Sequence, residues 1–474
     1  MATSATDGSF IPKRCIAGSI TLTLLILASS SVTPARGQCS PQQFPKLLAG
    51  DVGLGGNPYR FGTSAALSGD IAVIGTPGGF FNQGAAYVFV PSANVWTQQV
   101  RLTASDAEIF DNFGFAVAVS GETAIVGASS DDHDGGIDAG SAYVFIRNGT
   151  VWTQQARLFA ADAAESQYFG DSVALSGDTA VVGAVGNGEE GSLGSAYVFV
   201  RNGTTWTQQS QLAASGISVA VSGETAVVGA SEAAYVYVRS GTTWSEQAIL
   251  ENFTGLFEFG VSVAISGETA VVGQPNSGGF GLAHVFKRVG TNWPEQAQLS
   301  ASDETVQNFF GNSVAISGDT AVIGAVMGDI VSPGSDEGAA YVFTRTGTVW
   351  TERSKLVASD AMGGDAFGSS VAASGDTAVA GADLDDNTGG IDAGAAYVFD
   401  LNCGEVPACC PGDFDASNNV TTADISGFVA ALLAGNPCAA PPACCTGNFN
   451  LDGTVNGADV TGFLEEIFSG GACP

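Results

Sequence analysis

A Ser-Gly-Asp/Glu triplet returns seven times along the chain, with its glycine at Gly69, Gly121, Gly177, Gly223, Gly267, Gly318 and Gly375. Recurrence at this interval requires one supersecondary unit repeated in series, each copy burying its faces against its neighbours. The flanking phrases repeat as well. Residues 170–184 read GDSVALSGDTAVVGA, and residues 311–325 read GNSVAISGDTAVIGA. A phrase of the Ala-Tyr-Val-Phe kind follows each triplet, at 86–89, 142–145, 196–199, 234–237, 283–286, 340–343 and 396–399. A third phrase, usually Trp-Thr-Gln-Gln, is anchored by Trp96, Trp152, Trp206, Trp244, Trp293 and Trp350, which uses all six tryptophans.

Each repeat therefore offers four short runs dominated by Val, Ile, Tyr, Phe, Trp and Thr, the residues that suit a pleated surface. Ser-Gly-Asp between two of them reads as a tight hairpin turn. The inner runs are apolar at most positions, as strands covered on both faces are. Four-stranded sheets stacked face to face create that situation, so the expected fold is all-β, a seven-bladed β-propeller of four-stranded blades. An open β-solenoid suits a four-stranded unit of this length less well. Six tryptophan runs serve seven turns. The missing copy is expected from the N-terminal segment Gln43 to Leu47, which aligns with the segment ending at Arg101-Leu102.

Phe-Gly stands before the Ser-Gly strand at 61–62, 113–114, 169–170, 259–260, 310–311 and 367–368. Gly-Ala, Gly-Thr-Pro or Gly-Gln-Pro ends the next strand at 75–77, 127–128, 183–184, 229–230, 273–275, 324–325 and 381–382. These motifs resemble the FG-GAP repeat family, the propeller of integrin α-subunits, over roughly three quarters of the chain. The fourth repeat departs from the pattern, with Gly216-Ile217 in place of Phe-Gly and only Ser231-Glu232 between its last two strands. The resemblance implies calcium loops just before the Tyr-Val-Phe strand. Two repeats carry acid there: Asp131, Asp132 and Asp138 in one, Asp385, Asp386 and Asp392 in the other. Calcium takes six to eight oxygen ligands, so carboxylates around a glycine turn suit it.

Residues 404–474 hold a second repeat. Asp413, Asp415, Ser417, Asn419 and Asp424 fall at positions 1, 3, 5, 7 and 12 of one loop. Asn448, Asn450, Asp452, Thr454 and Asp459 fall likewise in another. This is the ligand spacing of EF-hand calcium loops. An apolar helical stripe follows each loop: Ile425, Phe428, Val429, Leu432 and Leu433, then Val460, Phe463, Leu464, Ile467 and Phe468. The segment resembles a dockerin domain, which implies bound Ca2+ and a cohesin-like partner. Thr422-Ala423 and Gly457-Ala458 stand where cellulosomal dockerins often carry Ser-Thr, and no basic residue follows Glu405.

The chain carries 47 acidic against 15 basic residues, a net charge of -32. This opposes nucleic acid and anionic membranes as partners and favours cations, beyond keeping the chain soluble. Lys13 and Arg14 precede the apolar run Ile16 to Ala28, and Ala35-Arg36-Gly37 is a small-x-small cleavage pattern. Residues 1–37 thus read as an export signal, the run being too short for a good membrane span. The expected organisation is a signal over 1–37, a propeller over 38–403 and a calcium-binding unit over 404–474, in a secreted or cell-surface protein.

An even set of cysteines beyond the signal suits disulfides in an exported chain. Cys39 and Cys403 bracket the propeller, and Cys410 and Cys438 recur as Cys445 and Cys473 at the same 35-residue offset. The only histidines are His133 and His284. No zinc spacing, nucleophile elbow or phosphate loop appears, and paired carboxylates for glycoside hydrolysis are the one open catalytic route. The expected role is a calcium-supported, non-catalytic binding, adhesion or scaffolding protein that presents propeller loops to an extracellular protein or polysaccharide. A polysaccharide-degrading or polysaccharide-associated propeller, and a structural component of cell surface or matrix, are the alternatives.

Overall fold

The structure is a computed structural model that describes residues 41–50, 59–78, 83–92, 95–186, 194–212, 218–251, 258–276, 280–303, 308–327 and 336–402. The signal segment, the candidate disulfide cysteines Cys39, Cys403, Cys410, Cys438, Cys445 and Cys473, Gly216-Ile217 and the unit 404–474 lie outside these residues.

Seven antiparallel sheets of four strands form the propeller expected from the repeat. Blades 1 to 6 span 64–102, 113–158, 169–212, 218–251, 262–299 and 310–356. Blade 7 takes three strands from 367–400 and its outer strand, Gln42–Gln43, from the other end of the chain. Gln42 lies opposite Asp400 and Gln43 opposite Phe399. The pairing continues past the strand, where the Leu47 N–H donates to the Ala396 carbonyl at 2.8 Å. The segment around Gln43 to Leu47 therefore supplies the missing outer strand, and one blade is closed by both ends of the repeat region.

The second strand of each blade, such as Thr179–Ala184 in blade 3, is buried along almost its whole length. Its Val and Ile side chains pack between sheets on both faces, which is why these runs carry no polar alternation. The core is accordingly divided into seven clusters, one at each blade interface. Each interface between blades 1 and 2, for example, joins Val73 and Val88 of one sheet to Phe113, Val126 and Trp152 of the next.

The Phe-Gly and Gly-Ala motifs face each other across these interfaces. Phe61, Phe113, Phe169, Phe310 and Phe367 are fully buried. Each stands edge-on to the second aromatic of its own Tyr-Val-Phe strand, as Phe113 does to Phe145 at 6.1 Å. The glycine of Gly-Ala has no room for a side chain. A Cβ at Gly127 would lie 1.9 Å from the Gly170 carbonyl oxygen of blade 3, and one at Gly381 would lie 2.0 Å from that of Gly62 in blade 1. In blades 2, 3, 6 and 7 the phenylalanine is the first residue of the inner strand rather than a residue before it. A bulge separates it from the regular ladder, between Phe113 and Ala116 in blade 2. Such a bulge re-aims the side chain without ending the strand.

Ser-Gly-Asp/Glu is a two-residue hairpin turn, with Ser68 opposite Ile71 and Gly69 at φ 55°. It also links blades. The amide of each turn glycine donates to the serine hydroxyl of the preceding blade at 3.0 Å, at Gly69, Gly121, Gly177, Gly223, Gly267, Gly318 and Gly375. The Gly69 bond reaches Ser374 of blade 7 and closes the ring. Trp-Thr-Gln-Gln has the same logic on the outside. Trp152, Trp206, Trp244, Trp293 and Trp350 donate through Nε1 to a glutamine of the preceding blade, at 2.9–3.0 Å. The other glutamine accepts a backbone N–H from the connecting loop, as Gln154 does from Ser105 at 3.0 Å.

Gly127→Ala should therefore lower stability by about 3 kcal/mol or more, because neither backbone can retreat from a close-packed interface. Gly149→Ala, at φ 65° with open space around it, should cost only about 1–2 kcal/mol for its left-handed conformation. Thermal unfolding of the two variants checks the contrast.

Candidate calcium loops on the variable rim

The turns on the Ser-Gly side of the propeller are short and alike. On the opposite rim, the segments between second and third strands vary in length and sequence, apart from a matching pair in blades 2 and 7: 77–84, 129–140, 185–194, 230–232, 275–281, 326–338 and 383–394. The two acidic loops, 129–140 of blade 2 and 383–394 of blade 7, lie there and fold the same way. A local antiparallel bridge joins His133 to Gly136 in one and Asn387 to Gly390 in the other. Histidine and asparagine make equivalent bonds. His133 Nδ1 accepts the Gly135 N–H at 2.9 Å, and Nε2 faces the Gly140 carbonyl at 3.1 Å. Asn387 Oδ1 accepts the Gly389 N–H at 2.8 Å, and Nδ2 donates to the Gly394 carbonyl at 2.8 Å.

The six acids expected to bind calcium do not converge. Asp132 Oδ1 accepts the Asp138 N–H at 2.7 Å, and Asp386 Oδ1 accepts the Asp392 N–H at 2.9 Å. Asp138 and Asp392 hold positive φ, 52° and 50°, which closes each loop. Asp131 and Asp385 turn inward and are 3% and 2% exposed. Asp131 Oδ2 receives Arg157 Nη2 at 2.5 Å and the Tyr143 hydroxyl at 3.2 Å. Asp385 receives Lys46 Nζ at 3.3 Å and the Tyr397 hydroxyl at 2.8 Å. Among the described residues, no group of three or more His, Cys, Asp or Glu is placed to hold a metal ion. In these two loops the buried carboxylates, Asp131 and Asp385, are bonded to cations of the chain. The ten loop residues of the 404–474 unit, Asp413 to Asp459, lie outside the described residues.

Each cation also holds a carboxylate on the loop that enters its blade. Arg157 reaches Asp106 at 2.8 Å, and Lys46 reaches Asp360 at 2.6 Å. In blade 6, Lys355 and Tyr341 hold Asp303 at 2.7 and 2.8 Å. Burial works to lower the affinity of Arg157 and Lys46 for their protons, but the surrounding carboxylates outweigh it and raise both above their usual range. Burial pushes Asp360 and Asp303 upward, yet their bonds to lysine and tyrosine hold both below the usual carboxylate value. Single sequence motifs give no sign of these partners, since Arg157 and Lys46 lie outside the acidic loops. The signal is an alignment of the repeats against one another. Lys46, Arg101, Arg157 and Lys355 all stand immediately before the outer-strand leucine.

Two further acids behave differently. Asp111 and Asp365 are 3% and 4% exposed, and burial raises each to about 6, helped by the neighbouring Asp131 and Asp132, or Asp385 and Asp386. His284, expected to be structural, is 1% exposed. It bonds Glu295 at 2.8 Å and Gln274 at 3.1 Å, and lies edge-on to Phe259.

The profile of the FG-GAP repeat matches residues 42–89, 96–145, 152–199, 293–343 and 350–399, together more than half of the chain. Each matched unit begins on the outer strand of one blade and ends on the third strand of the next, so the sequence repeat is out of phase with the blade. No curated protein matches the chain. Among solved structures, the crystal structure of Saccharomyces cerevisiae Sqt1 is similar, at 11% identity and a TM-score of 0.43, over 73% of this chain and 83% of that one.

Because Asp111 and Asp365 bind protons more tightly in the folded chain than in the unfolded one, stability should fall as pH rises from about 4 to about 6. The double variant Asp111→Asn with Asp365→Asn should flatten this part of the profile and unfold at a higher temperature than the unmodified protein at pH 8. The contribution of Asp303 and Asp360 has the opposite sign and is lost only as pH falls below about 4. Thermal midpoints across pH separate the two windows.

Proposed function

The chain belongs to the FG-GAP repeat family, and from that premise we propose that it is an exported, non-catalytic binding or scaffolding protein. Its propeller presents the variable rim to an extracellular protein or polysaccharide, and its residues 404–474 form a calcium-dependent, dockerin-like anchor. The observation that carries this reading is the contrast between the two rims. One framework, with the same interface residues in blade after blade, holds uniform turns on one side and loops of varied length and sequence on the other. Sites for partners are carried by varied loops on rigid scaffolds, because the scaffold fixes position while the loops vary in chemistry.

Calcium enters through the second repeat. The carboxylates of Asp413, Asp415 and Asp424, and of Asp452 and Asp459, would repel one another in loops of this spacing without a cation. The apolar run Ile16 to Ala28 supports export, and the acidic balance does not favour nucleic acid or anionic membranes.

Surface binding of residues 38–474 to panels of insoluble polysaccharides and immobilised extracellular proteins tests the rim. Saturable binding is expected, lost when 129–140 and 326–338 are replaced by the short Ser-Glu connection of blade 4. It should be kept when Gly149 and Gly203 on the opposite side are changed to Asn. Loss in the second case alone would place the partner elsewhere and overturn the reading.

A further inference from the structure

We infer that the acidic loops of blades 2 and 7 are closed by cations of the chain itself, Arg157 and Lys46, and take no calcium.

Three observations support this. First, both members of each Asp-Asp pair already have partners in the chain. The buried member of each Asp-Asp pair is bonded to a cation and a tyrosine hydroxyl, and the exposed member caps the loop backbone. A calcium ion needs six to eight oxygens at about 2.3–2.6 Å. To gather Asp131 and Asp132 it would compete with a guanidinium at 2.5 Å from Asp131 Oδ2 and with the hydrogen bond from the Asp138 N–H to Asp132 Oδ1 at 2.7 Å. The guanidinium would then remain beside a divalent ion in a shielded site, where like charges repel strongly. Second, the turn that a metal would organise is already fastened by protein groups, His133 in one loop and Asn387 in the other. Both make the same two bonds with different chemistry. Third, the Asp-Asp pair occurs only in blades with Arg or Lys before the outer-strand leucine. Blades 2 and 7 have both, blades 1 and 6 have the cation, Arg101 and Lys355, without the pair, and blades 3, 4 and 5 have neither, with Gln211, Ile249 and Gln298 at that position.

The cation also reaches further than a loop-bound metal would. Arg157 and Lys46 each join the loop inside a blade to the loop arriving from the preceding blade, through Asp106 and Asp360. They tie consecutive blades together on the rim as the serine-glycine bonds do at the turns.

The test is calcium binding by equilibrium dialysis, on the unmodified chain and on one carrying Asp413→Asn, Asp424→Asn, Asp452→Asn and Asp459→Asn. At about 1 mM free calcium, the weak end of loop-type sites, the fourfold variant is expected to hold no measurable metal. Retention of about one or two ions per chain in that variant overturns the inference. If the unmodified chain itself binds none, the calcium-loaded anchor fails and the inference stands. In the fourfold background, Arg157→Met should lower the thermal midpoint by about 5 °C or more, equally in calcium and in EDTA. Arg157→Lys should recover part of the loss. No loss on Arg157→Met, or a midpoint of the fourfold variant that rises with calcium, overturns the inference as well.

Discussion

The propeller depends on the approach of two backbones at each blade interface. The glycine that ends a second strand lies so close to the Phe-Gly carbonyl of the next blade that a single added carbon, as at Gly127, would fall within 1.9 Å of an oxygen. That contact sets the distance between sheets, and with it the depth available for the buried Phe, Val and Ile side chains. Phenylalanine fills the space beside the glycine because a large aromatic can stand edge-on to Phe145 and its counterparts while its backbone stays in reach. Interiors packed to this density deform little, and the same close approach recurs at Gly75, Gly127, Gly229, Gly273, Gly324 and Gly381.

Polar groups then fix the angular order of the blades. The serine-glycine bonds at the turns and the tryptophan-glutamine bonds on the outer strands each run from one blade to its predecessor. Neither group finds its partner within its own repeat. A repeat excised from the ring would leave a serine hydroxyl, an indole N–H and the two apolar faces of its sheet to water. Stability in such an array lies in neighbouring pairs, and closure through Gln42–Gln43 supplies the outer strand that the last blade would otherwise lack. The phase shift between the matched sequence unit and the blade has the same cause, since a unit that contributes strands to two blades cannot close a ring without joining its ends.

Charge is arranged differently on the two rims. On the turn side, acids of the Ser-Gly-Asp/Glu triplets pair with arginines of the third strands, as Asp178 does with Arg201 at 2.5 Å, in exposed positions where such pairs contribute little. On the loop side, Arg157 and Lys46 each hold one shielded carboxylate, Asp131 or Asp385, and one more exposed carboxylate on the loop from the preceding blade, Asp106 or Asp360, so a single cation orders two loops. Much of the small complement of basic residues is used in such contacts, and the surplus of carboxylate stays in the solvated loops.

The sequence by itself determined the strand count, the seven blades and the shared seventh blade, because each rests on a local pattern: Ser-Gly turns, apolar runs covered on two faces, and one tryptophan run too few. It also located the two acidic loops and predicted their glycine turns. Tertiary structure alone decided what the acids do there. Asp131 and Asp385 meet Arg157 and Lys46, which lie 26 residues later and 339 residues earlier in the chain, and that meeting follows from strand order within a blade rather than from spacing within a loop. Asp132 and Asp386 were legible as carboxylates but not as backbone caps, since the cap depends on the positive φ that Asp138 and Asp392 adopt once the loop is closed. Local pattern fixes which strands form, and only the assembled ring fixes which charges become neighbours.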